Sequence, residues 1–314
     1  MSANICKKSA PAFQDEIVSI HNLKILKTVV QQGSFAKAAY EMNLTPSAVS
    51  HAISKLEKNF GLLLFMRTNK GMTLTPAGEH ILPYIRSVQH SNELLFQEIN
   101  QIHDLLLGTV GIAAFHHIAI QWMPQIIHGF QKKYPNIEVK IYQSDYYRTL
   151  DWIKDGTVDL AFVAGEVPKA AESFPVFRDH LVCITPDDFV PAHKDYVSFD
   201  DLKTMNLVFQ RGGYNIEVQA FLENNHLRTD SSHYLETSEA LVASVESGFG
   251  CCVLPAMATY HPQARVRVYP IVPKEEYTIH LIAAHPLETT PATREMCNYI
   301  IQHLQQQNSS GGER

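Results

Sequence analysis

The sequence predicts a multidomain protein with a small α-helical domain that carries a β-hairpin, one long helix, and an α/β body made of two halves. Three observations predict this arrangement. Residues 19–77 hold short amphipathic helical patterns that end in a strand–turn–strand pattern. Residues 78–107 hold a heptad repeat of apolar residues, which is typical of a long helix with a partner. Residues 108–307 alternate short apolar strands with helical segments, which is typical of α/β folds.

Residues 33–60 are the most informative part of the small domain, because they contain two helical patterns separated by a tight turn at residues 43–44. In the second helix, Thr45 is a good N-cap and Pro46 suits the first helical position. At about 100° per residue, apolar residues share one side of this helix and short polar or basic residues share the other. Such a helix can bury its apolar side and present the polar side to the major groove of DNA. The apolar side comprises Val49, Ile53, Leu56 and Phe60, and the polar side Ser47, Ser50, His51, Ser54 and Lys58.

The residues after Gly61 read as a strand, a turn at residues 69–71 and a second strand, so we expect a hairpin that serves as a wing. It places Arg67 and Lys70 where they can meet phosphates. Residues 1–77 contain nine Lys and Arg against four Asp and Glu, and the rest of the chain contains 17 against 28. A basic end on an acidic body attracts a phosphate backbone only at that end. The alternative is a small amphipathic bundle with a hairpin and no DNA function.

Residues 78–107 predict a helix of roughly 45 Å at about 1.5 Å per residue. Its apolar positions, with one polar member at Asn92, are spaced alternately by four and three residues. This spacing is a heptad seam, and a small domain is too short to cover it. We therefore expect the helix to pair with a second copy of the chain, the alternative being that it packs on its own body. The seam comprises Ile81, Ile85, Val88, Asn92, Leu95, Ile99, Ile102 and Leu106.

The body contains two consecutive βαβαβ patterns, one in residues 108–165 and one within residues 166–268. A strand at residues 181–185 can cross from one half to the other, and residues 269–307 return to the first half. Two α/β halves joined by crossing strands leave a cleft at the C-terminal ends of their strands, where small ligands bind. We therefore expect a ligand cleft between the halves.

Composition places the chain among globular proteins, with 45% hydrophobic and 18% charged residues. The chain has no run of 18 apolar residues and its first residues lack the apolar core of a signal peptide, so we expect no membrane association and a cytoplasmic location. Residues 1–18 and 308–314 have compositions expected of disordered ends. The five cysteines show neither disulfide nor CxxC spacing and are expected to be reduced. The vicinal Cys251-Cys252 are compatible with an oxidant sensor or, as we expect, with core residues.

The sequence shows no catalytic motif. It has no GxSxG, GxxxxGK[ST] or HExxH pattern and no GxGxxG after a strand. Nothing brings together a nucleophile, a base and an oxyanion site, so we expect neither an enzyme nor a cofactor. A ligand-binding module without DNA function is the other alternative, and it would leave residues 1–77 without a role.

These features resemble LysR-type transcriptional regulators over about residues 19–305. The most specific match is residues 33–78, GSFAKAAYEMNLTPSAVSHAISKLEKNFGLLLFMRTNKGMTLTPAG, and shorter pieces such as WIKDGTVDLAFV also fit. The resemblance implies a winged helix-turn-helix, a linker helix that dimerises, and an effector domain of two Rossmann-like subdomains of the periplasmic-binding-protein type 2. It also implies a homodimer or homotetramer that bends double-stranded promoter DNA, responds to a small-molecule effector and, in an activator, contacts RNA polymerase.

By this resemblance, Pro46, Ser47, Ser50 and His51 lie at bases or at nearby phosphates. The sequence departs from the commonest family pattern at Pro46-Ser47, where many members have Gln-Pro, and at His51, where many have Arg. Because Gln and Arg are strong readers of base edges, these departures leave the operator sequence open. The full set of expected DNA-binding residues is Ser34, Thr45, Pro46, Ser47, Ser50, His51, Ser54, Lys55, Arg67, Thr68, Lys70 and Thr75.

The resemblance places one wall of the effector cleft after the first strand of the body and the opposite wall after the first strand of the second half. Arg211 and helix N-termini would suit an anionic group on the effector. His116 and His117 are also compatible with structural hydrogen bonding, a pH sensor or a metal site, although their spacing with His128 is not convincing for metal ligands. The expected effector-binding residues are Phe115, His116, His117, Asp145, Gly165, Arg211, Gly212, Gly213, Ser238 and Phe249.

Overall fold

The computed structural model describes most of the chain, in two compact units, Met1–Glu93 and Leu94–Arg314. Most of the predicted disordered ends lie outside the described residues, as do Lys70, Leu106, Arg211 and the side chain of Ile102. Within the described part, no helix is both long enough and apolar enough to cross a membrane. The described residues are 18–68, 71–102, 107–165, 167–169, 171–210, 212–227, 235–259, 264–283 and 289–310, of which 101–102 and 308–310 are described by backbone alone.

The first unit is a bundle of short helices with a two-stranded antiparallel hairpin. Gly33 and Gly61 end the first and third helices with φ of 60° and 65°, the left-handed conformation that glycine adopts without steric cost. The second and third helices begin at Ser34 and Thr45, whose side chains accept hydrogen bonds from backbone N–H groups in the first turn. The elements are α1 (Ile20–Gln32), α2 (Phe35–Glu41), α3 (Pro46–Phe60), β1 (Phe65–Thr68), β2 (Gly71–Leu74) and α4 (Pro76–Ile102).

The hairpin is held against α3 and the start of α4. The Glu57 carboxylate on α3 accepts hydrogen bonds from the backbone N–H groups of Leu64 at 2.8 Å and Phe65 at 3.3 Å. Gly78 lets α4 approach this point, because a Cβ there would lie 2.4 Å from the Leu64 carbonyl oxygen. The wing therefore has a fixed position relative to α3.

The second unit is built on an eight-stranded sheet with the strand order β4-β3-β5-β10-β6-β9-β7, and β8 also pairs with β6. β3 runs parallel to β4 and β5, whereas β10 runs antiparallel to β5 and β6. The strands are β3 (Gly108–Ala114), β4 (Ile137–Gln143), β5 (Leu160–Ala164), β6 (Glu172–Pro186), β7 (Val197–Ser198), β8 (Cys252–Pro255), β9 (Val266–Val272) and β10 (Glu276–Ala283). The helices are α5 (His116–Gln121), α6 (Met123–Lys133), α7 (Tyr146–Lys154), α8 (Phe199–Thr204), α9 (Ile216–Asn224), α10 (Ser238–Glu246) and α11 (Pro291–Ser310), with a 3-10 turn at Ala256–Thr259.

One strand, β6, belongs to both halves. Its residues 172–180 pair with β10 in the first half, and residues 181–186 pair with β8 and β9 in the second half. The crossing strand predicted at residues 181–185 is thus the end of a longer one. The predicted strand at residues 207–210 is reduced to two single-residue bridges, Leu207 with Cys251 and Gln210 with Leu235.

Each half buries both faces of its sheet. In β3, the neighbours Ile112 and Ala113 are both 0% exposed, yet Ile112 packs in the core under α6 and α11 and Ala113 in the core under α7. The second half is packed by α8 and α9 on one face and by α10 on the other. Burial on both faces is what the continuous apolar runs of β3 and β5 predict.

The cysteines of the described part are core residues. Cys183, Cys251, Cys252 and Cys297 are all buried free thiols. Burial raises the pKa of Cys251 to about 11 and the pKa of Cys297 to about 12, so both thiols stay protonated at neutral pH. A protonated, buried thiol reacts slowly with oxidants. This supports the core interpretation of Cys251-Cys252 over the oxidant sensor.

Candidate nucleic-acid interface and ligand cleft

Helix α3 has the two-sided character that the sequence predicts. Val49 and Leu56 are 0% exposed and pack in the core of the first unit. On the opposite side, all the predicted polar residues are exposed to solvent. These are Ser47, Ser50, His51, Ser54 and Lys58, and Pro46 and Lys55 are exposed beside them. The helix therefore presents a continuous surface of hydroxyl, imidazole and ammonium groups, which are the groups that contact base edges and phosphates.

The hydroxyl groups around α3 differ in whether their hydrogen is still available to donate a hydrogen bond. Ser34 Oγ accepts a hydrogen bond from the Lys37 N–H at 3.5 Å, so its own hydrogen remains available. Thr45 Oγ1 accepts from the Ala48 N–H at 3.2 Å and lies 3.0 Å from Ser47 Oγ, with which it shares one hydrogen. Donors that remain available after capping can reach phosphate oxygens, which only accept.

The hairpin residues fall into two groups. Arg67 is exposed on β1, opposite Met72 of β2, and carries its guanidinium at the solvent side of the wing. Thr68 and Thr75 instead use their hydroxyl hydrogens inside the protein: Thr68 donates to the Gly71 carbonyl at 3.2 Å, and Thr75 donates to the Leu63 carbonyl at 2.6 Å. In this conformation these two threonines stabilise the wing and the start of α4, and have no hydroxyl hydrogen left for a phosphate.

Part of the predicted seam on α4 belongs to the chain's own core, which corrects the sequence assignment. Ile85 is 6% exposed and packs with α1 and α3, and Ile81 is partly buried against the same cluster. The first turns of α4 therefore complete the small domain. Further along, Val88, Leu95 and Ile99 are 49%, 58% and 40% exposed, and Asn92 is partly buried. Phe96, which the heptad omits, is 58% exposed beside them.

A cleft of about 250 Å³ lies between the two halves of the second unit. One wall comes from the start of α5 and the end of β4, and the other from the residues that precede α9 and α10. Of the predicted effector residues, Phe115, His116, His117 and Ser238 line this cleft. The sequence missed the remaining lining residues, which all follow a strand or a bridge, or precede a helix: Gln143, Ser144, Gln210, Tyr214, Asn215, Glu236 and Thr237.

Hydrogen bonds cross the cleft and tie the halves together. The His116 ring lies between Glu239 and Gln143, with Nε2 2.9 Å from Glu239 Oε1 and Nδ1 2.8 Å from Gln143 Nε2. The Tyr146 backbone N–H donates to the Gly213 carbonyl at 2.8 Å. Burial acts to raise the pKa of Glu239, but hydrogen bonds from its own backbone N–H and from His116 outweigh burial and lower that pKa. Glu239 is therefore a carboxylate at neutral pH.

The lining of the cleft is polar, and among the described residues its carboxyl group comes from Glu236. Burial, reinforced by the charge of His116, lowers the pKa of His117 to about 4, so its ring is neutral at pH 7. Three helices of nine residues, α7, α9 and α10, begin at the cleft, where Ser144, Asn215 and Ser238 line it. Helix N-termini carry unpaired N–H groups and a partial positive charge, so their convergence favours an anionic ligand group.

Several predicted cleft residues lie elsewhere. Asp145 caps α7 by accepting from the Arg148 N–H at 3.0 Å, and its Cβ lies beside Gly213, just outside the lining. Gly165 faces Ile216 and Gly212 faces Gln219, also outside the lining. The Phe249 assignment is wrong: this residue follows the C-terminal end of α10, whereas the N-terminal end of α10 meets the cleft. Its side chain is 53% exposed to solvent.

A buried acidic cluster lies where β6 passes between the halves. The Asp179 carboxylate is 4% exposed and accepts from Tyr277 Oη at 2.8 Å, the His180 N–H at 2.8 Å and the Met257 N–H at 3.2 Å. Glu217 of α9 is partly exposed as a residue, but its carboxyl group is buried. This burial, together with the Asp179 charge, raises the pKa of Glu217 to about 7. Burial also raises the pKa of Tyr277 far above its ordinary value, so the phenol stays protonated and donates.

Metal coordination is not supported by the residues that the structure covers. Among them, no three His, Cys, Asp or Glu side chains form a group that could hold a metal ion. The neighbours of His116 are an amide and a single carboxylate. Both histidines line the cleft, and His116 is held there by hydrogen bonds.

The geometry agrees with comparisons to known proteins. The family "Bacterial regulatory helix-turn-helix protein, lysR family" matches residues 20–79, and the "LysR substrate binding domain" matches residues 103–305. The HTH-type transcriptional regulator YofA of Bacillus subtilis (strain 168) is 29% identical over 252 residues, which cover 79% of this chain and 85% of YofA. YoaU of the same organism, an uncharacterized HTH-type transcriptional regulator, is 26% identical over 294 residues, which cover 90% and 98% of the two chains.

Solved structures share the fold over nearly the whole chain. A full-length OxyR variant from Pseudomonas aeruginosa superposes with a TM-score of 0.71 at 19% identity, covering 92% of this chain and 98% of OxyR. CbnR in complex with its target DNA gives a TM-score of 0.64 at 17% identity, covering 91% and 99%. The family matches are to regulators and not to enzymes. The chain belongs to the LysR family of transcriptional regulators, with a DNA-binding helix-turn-helix followed by an effector-binding α/β domain.

Proposed function

We propose that this regulator binds promoter DNA as a homodimer or homotetramer and responds to a small anionic molecule in the cleft of its second unit. One observation carries the DNA part of the proposal: α3 exposes Ser47, Ser50 and His51 while Val49 and Leu56 are fully buried. A helix fixed by its apolar side and free on its polar side can enter the major groove without unfolding.

In this proposal, Ser47, Ser50 and His51 contact base edges, because hydroxyls and an imidazole can each donate or accept there. Ser34 and Arg67 contact phosphates from either side of α3 and give the protein its register on DNA. The remaining expected contacts to bases or backbone are Thr45, Pro46, Ser54, Lys55 and Lys70, whereas Thr68 and Thr75 hold the wing and the start of α4 in place. Base contacts of this kind carry sequence specificity, and phosphate contacts carry the salt dependence.

Dimerisation through α4 follows from what the helix leaves exposed. Val88, Leu95 and Ile99 recur at seven- and four-residue intervals and form an apolar strip that a second copy can cover. Two copies related by a two-fold axis would address two half-sites about one helical turn, or a multiple, apart. We assign residues 19–77 to DNA contact, 78–107 to dimerisation, and 108–165 with 269–307 and 166–268 to the two effector subdomains.

The proposed effector carries an anionic group, since three helix N-termini meet at the cleft. An effector that binds one arrangement of the halves better than another shifts the oligomer towards that arrangement. The free energy of this shift cannot exceed the difference between the effector's binding free energies for the two arrangements. The linker helices would carry this change to the spacing of the recognition helices. We further propose contact with RNA polymerase if the protein is an activator, and a cytoplasmic location, where its promoter DNA lies.

A gel-shift assay on the DNA upstream of the protein's own coding region tests the function. We expect a specific shift that weakens steeply as salt is raised, because neutralised phosphates release counterions. The competing function is a ligand-binding module without DNA activity. Binding of a metabolite together with the absence of any salt-sensitive specific shift would favour that module and reject the regulator.

A further inference from the structure

A carboxylate contacts the lining of the cleft through His116. Glu239, on the second half, lies 2.9 Å from Nε2 of His116, on the first half, and Gln143 lies 2.8 Å from the other ring nitrogen. Both nitrogens of His116 are therefore engaged, one of them by an anion. The pair is a contact between the two halves of the second unit.

The surroundings of Glu239 suit an anion in general. Glu239 is in the first turn of α10, and its carboxylate accepts hydrogen bonds from its own backbone N–H and from the Thr237 side chain, as well as from His116. These are the donors that bind a carboxylate or phosphate group at a helix N-terminus. The Glu239 side chain is 48% exposed, so it can leave this position and be solvated by water.

A second group points to a ligand at the same place. His117 is 8% exposed and lines the cleft, and within the described part of the chain its ring contacts Phe115 at a centroid distance of 5.8 Å. The described hydrogen bonds give its ring nitrogens no partner. A buried polar ring that lines a cavity can satisfy its hydrogen bonds with a ligand or with water.

We propose that Glu239 is a built-in anion, and that the anionic group of the effector binds by displacing the Glu239 carboxylate from His116. This deepens the proposed function and rests on the cleft being the effector site. In the closed cleft Glu239 repels a second anion and holds the halves together. An effector must therefore carry an anionic group that binds His116 better than the Glu239 carboxylate does. This requirement selects anionic effectors and excludes those that bind more weakly than Glu239.

The test uses full-length protein and two simple anions, acetate and inorganic phosphate, as probes. Thermal denaturation is measured at pH 7 against anion concentration, with sodium chloride added to keep ionic strength constant, because binding to the folded state raises Tm. We expect Glu239→Gln to lower the half-saturating concentration of the probes about tenfold relative to wild type, since the probe anion no longer competes with a carboxylate for His116. Adding His116→Ala to this variant should abolish the gain.

Glu236→Gln is the matched control. It removes the same charge from a residue of the cleft lining, but leaves the contact between His116 and Glu239 intact, so we expect less than a twofold change. Equal half-saturation in wild type and Glu239→Gln, or an equal gain in Glu236→Gln, would overturn the proposal. These outcomes are independent of the gel shift, which tests DNA binding by the wild-type protein. A failed gel shift beside the expected anion result would reject the DNA function and keep the role of Glu239.

Discussion

The phenol of Tyr277 on β10 donates to the carboxylate of Asp179 on β6 across 2.8 Å, at the point where β6 passes from one half to the other. Replacing Tyr277 with Phe removes a donor from a buried carboxylate. We expect the free energy of unfolding in urea to fall by about 1.5–3 kcal/mol, the range for hydrogen bonds to charged groups. Tyr147→Phe, at a tyrosine that is 60% exposed, should change it by less than about 0.5 kcal/mol. Equal effects would mean that the Asp179 contact contributes nothing.

Glu217 makes the second unit less stable as pH rises. Its pKa is about 7 in the folded protein against 4.5 for the ordinary group, so between these values the folded state keeps a proton that the unfolded state loses. Stability therefore falls from pH 4.5 to pH 7, and the full cost of about 3 kcal/mol persists above pH 7. Glu217→Gln should have a higher free energy of unfolding than wild type. This difference should be about 1–3 kcal/mol larger at pH 8 than at pH 5. Glu223→Gln, at an exposed residue of the same helix, should show no such trend in urea denaturation at the two pH values.

Truncation of the exposed side of α3 should weaken specific DNA binding. For Ser50→Ala and His51→Ala we expect a loss of about 1–3 kcal/mol for each base contact removed, and weaker discrimination at the matching base pair. Fluorescence anisotropy with the natural site and single-base variants measures both effects. Ser87→Ala, at an exposed serine on α4, is the control. Wild-type specificity in both α3 variants would reject base reading by this face.

Arg67 should contribute to affinity without sequence preference. Its exposed guanidinium on β1 is placed to meet a phosphate, so Arg67→Ala should weaken binding to all DNA sequences about equally. The slope of log affinity against log salt should flatten by about one unit. Titrations at four or five salt concentrations give this slope. Lys132→Ala removes an exposed charge from α6 and should leave it unchanged; an unchanged slope in Arg67→Ala would end the wing assignment.

The exposed strip on α4 should control oligomerisation. Leu95 is 58% exposed, and a charge there would be buried without a partner if a second copy covers it. We expect Leu95→Glu to shift the protein towards monomer in sedimentation velocity and to reduce DNA affinity, since half-sites would then bind singly. Ser87→Glu adds the same charge at an exposed position on α4, about 100° around the helix from Val88, and should remain assembled. If Leu95→Glu sediments as wild type does, another surface holds the oligomer together.

Local sequence rules predicted a segment's structure correctly where the residues that pack against it are close in sequence. Thr45, Pro46 and Gly61 mark the ends of α3 by capping chemistry alone, and the apolar side follows from the helical repeat. The same rules misjudged Ile85, because a heptad shows which residues share a side of a helix but not what covers them. The cover here comes from α1 and α3, earlier in the chain.

The cleft was predicted less completely, for a physical reason. The family resemblance placed its walls after two strands of the body, and of the residues it implied, His116, His117 and Ser238 line the cleft. Gln143 and Glu239 meet at His116 only because two distant segments fold against each other, and no periodicity records that contact. Phe249 was misplaced because the sequence does not show which end of α10 meets the cleft.

The pairing of Ala164 in β5 with Ile279 in β10 has a consequence for synthesis on the ribosome. The first half of the α/β domain cannot complete its sheet until nearly the whole chain has emerged, whereas the core of the first unit is built from residues 23–85. Domains made first fold first, and distant strand pairing is slow. The nascent chain therefore acquires its DNA-contacting surface before it can sense a ligand, and a prematurely terminated product would occupy operators without responding to the effector.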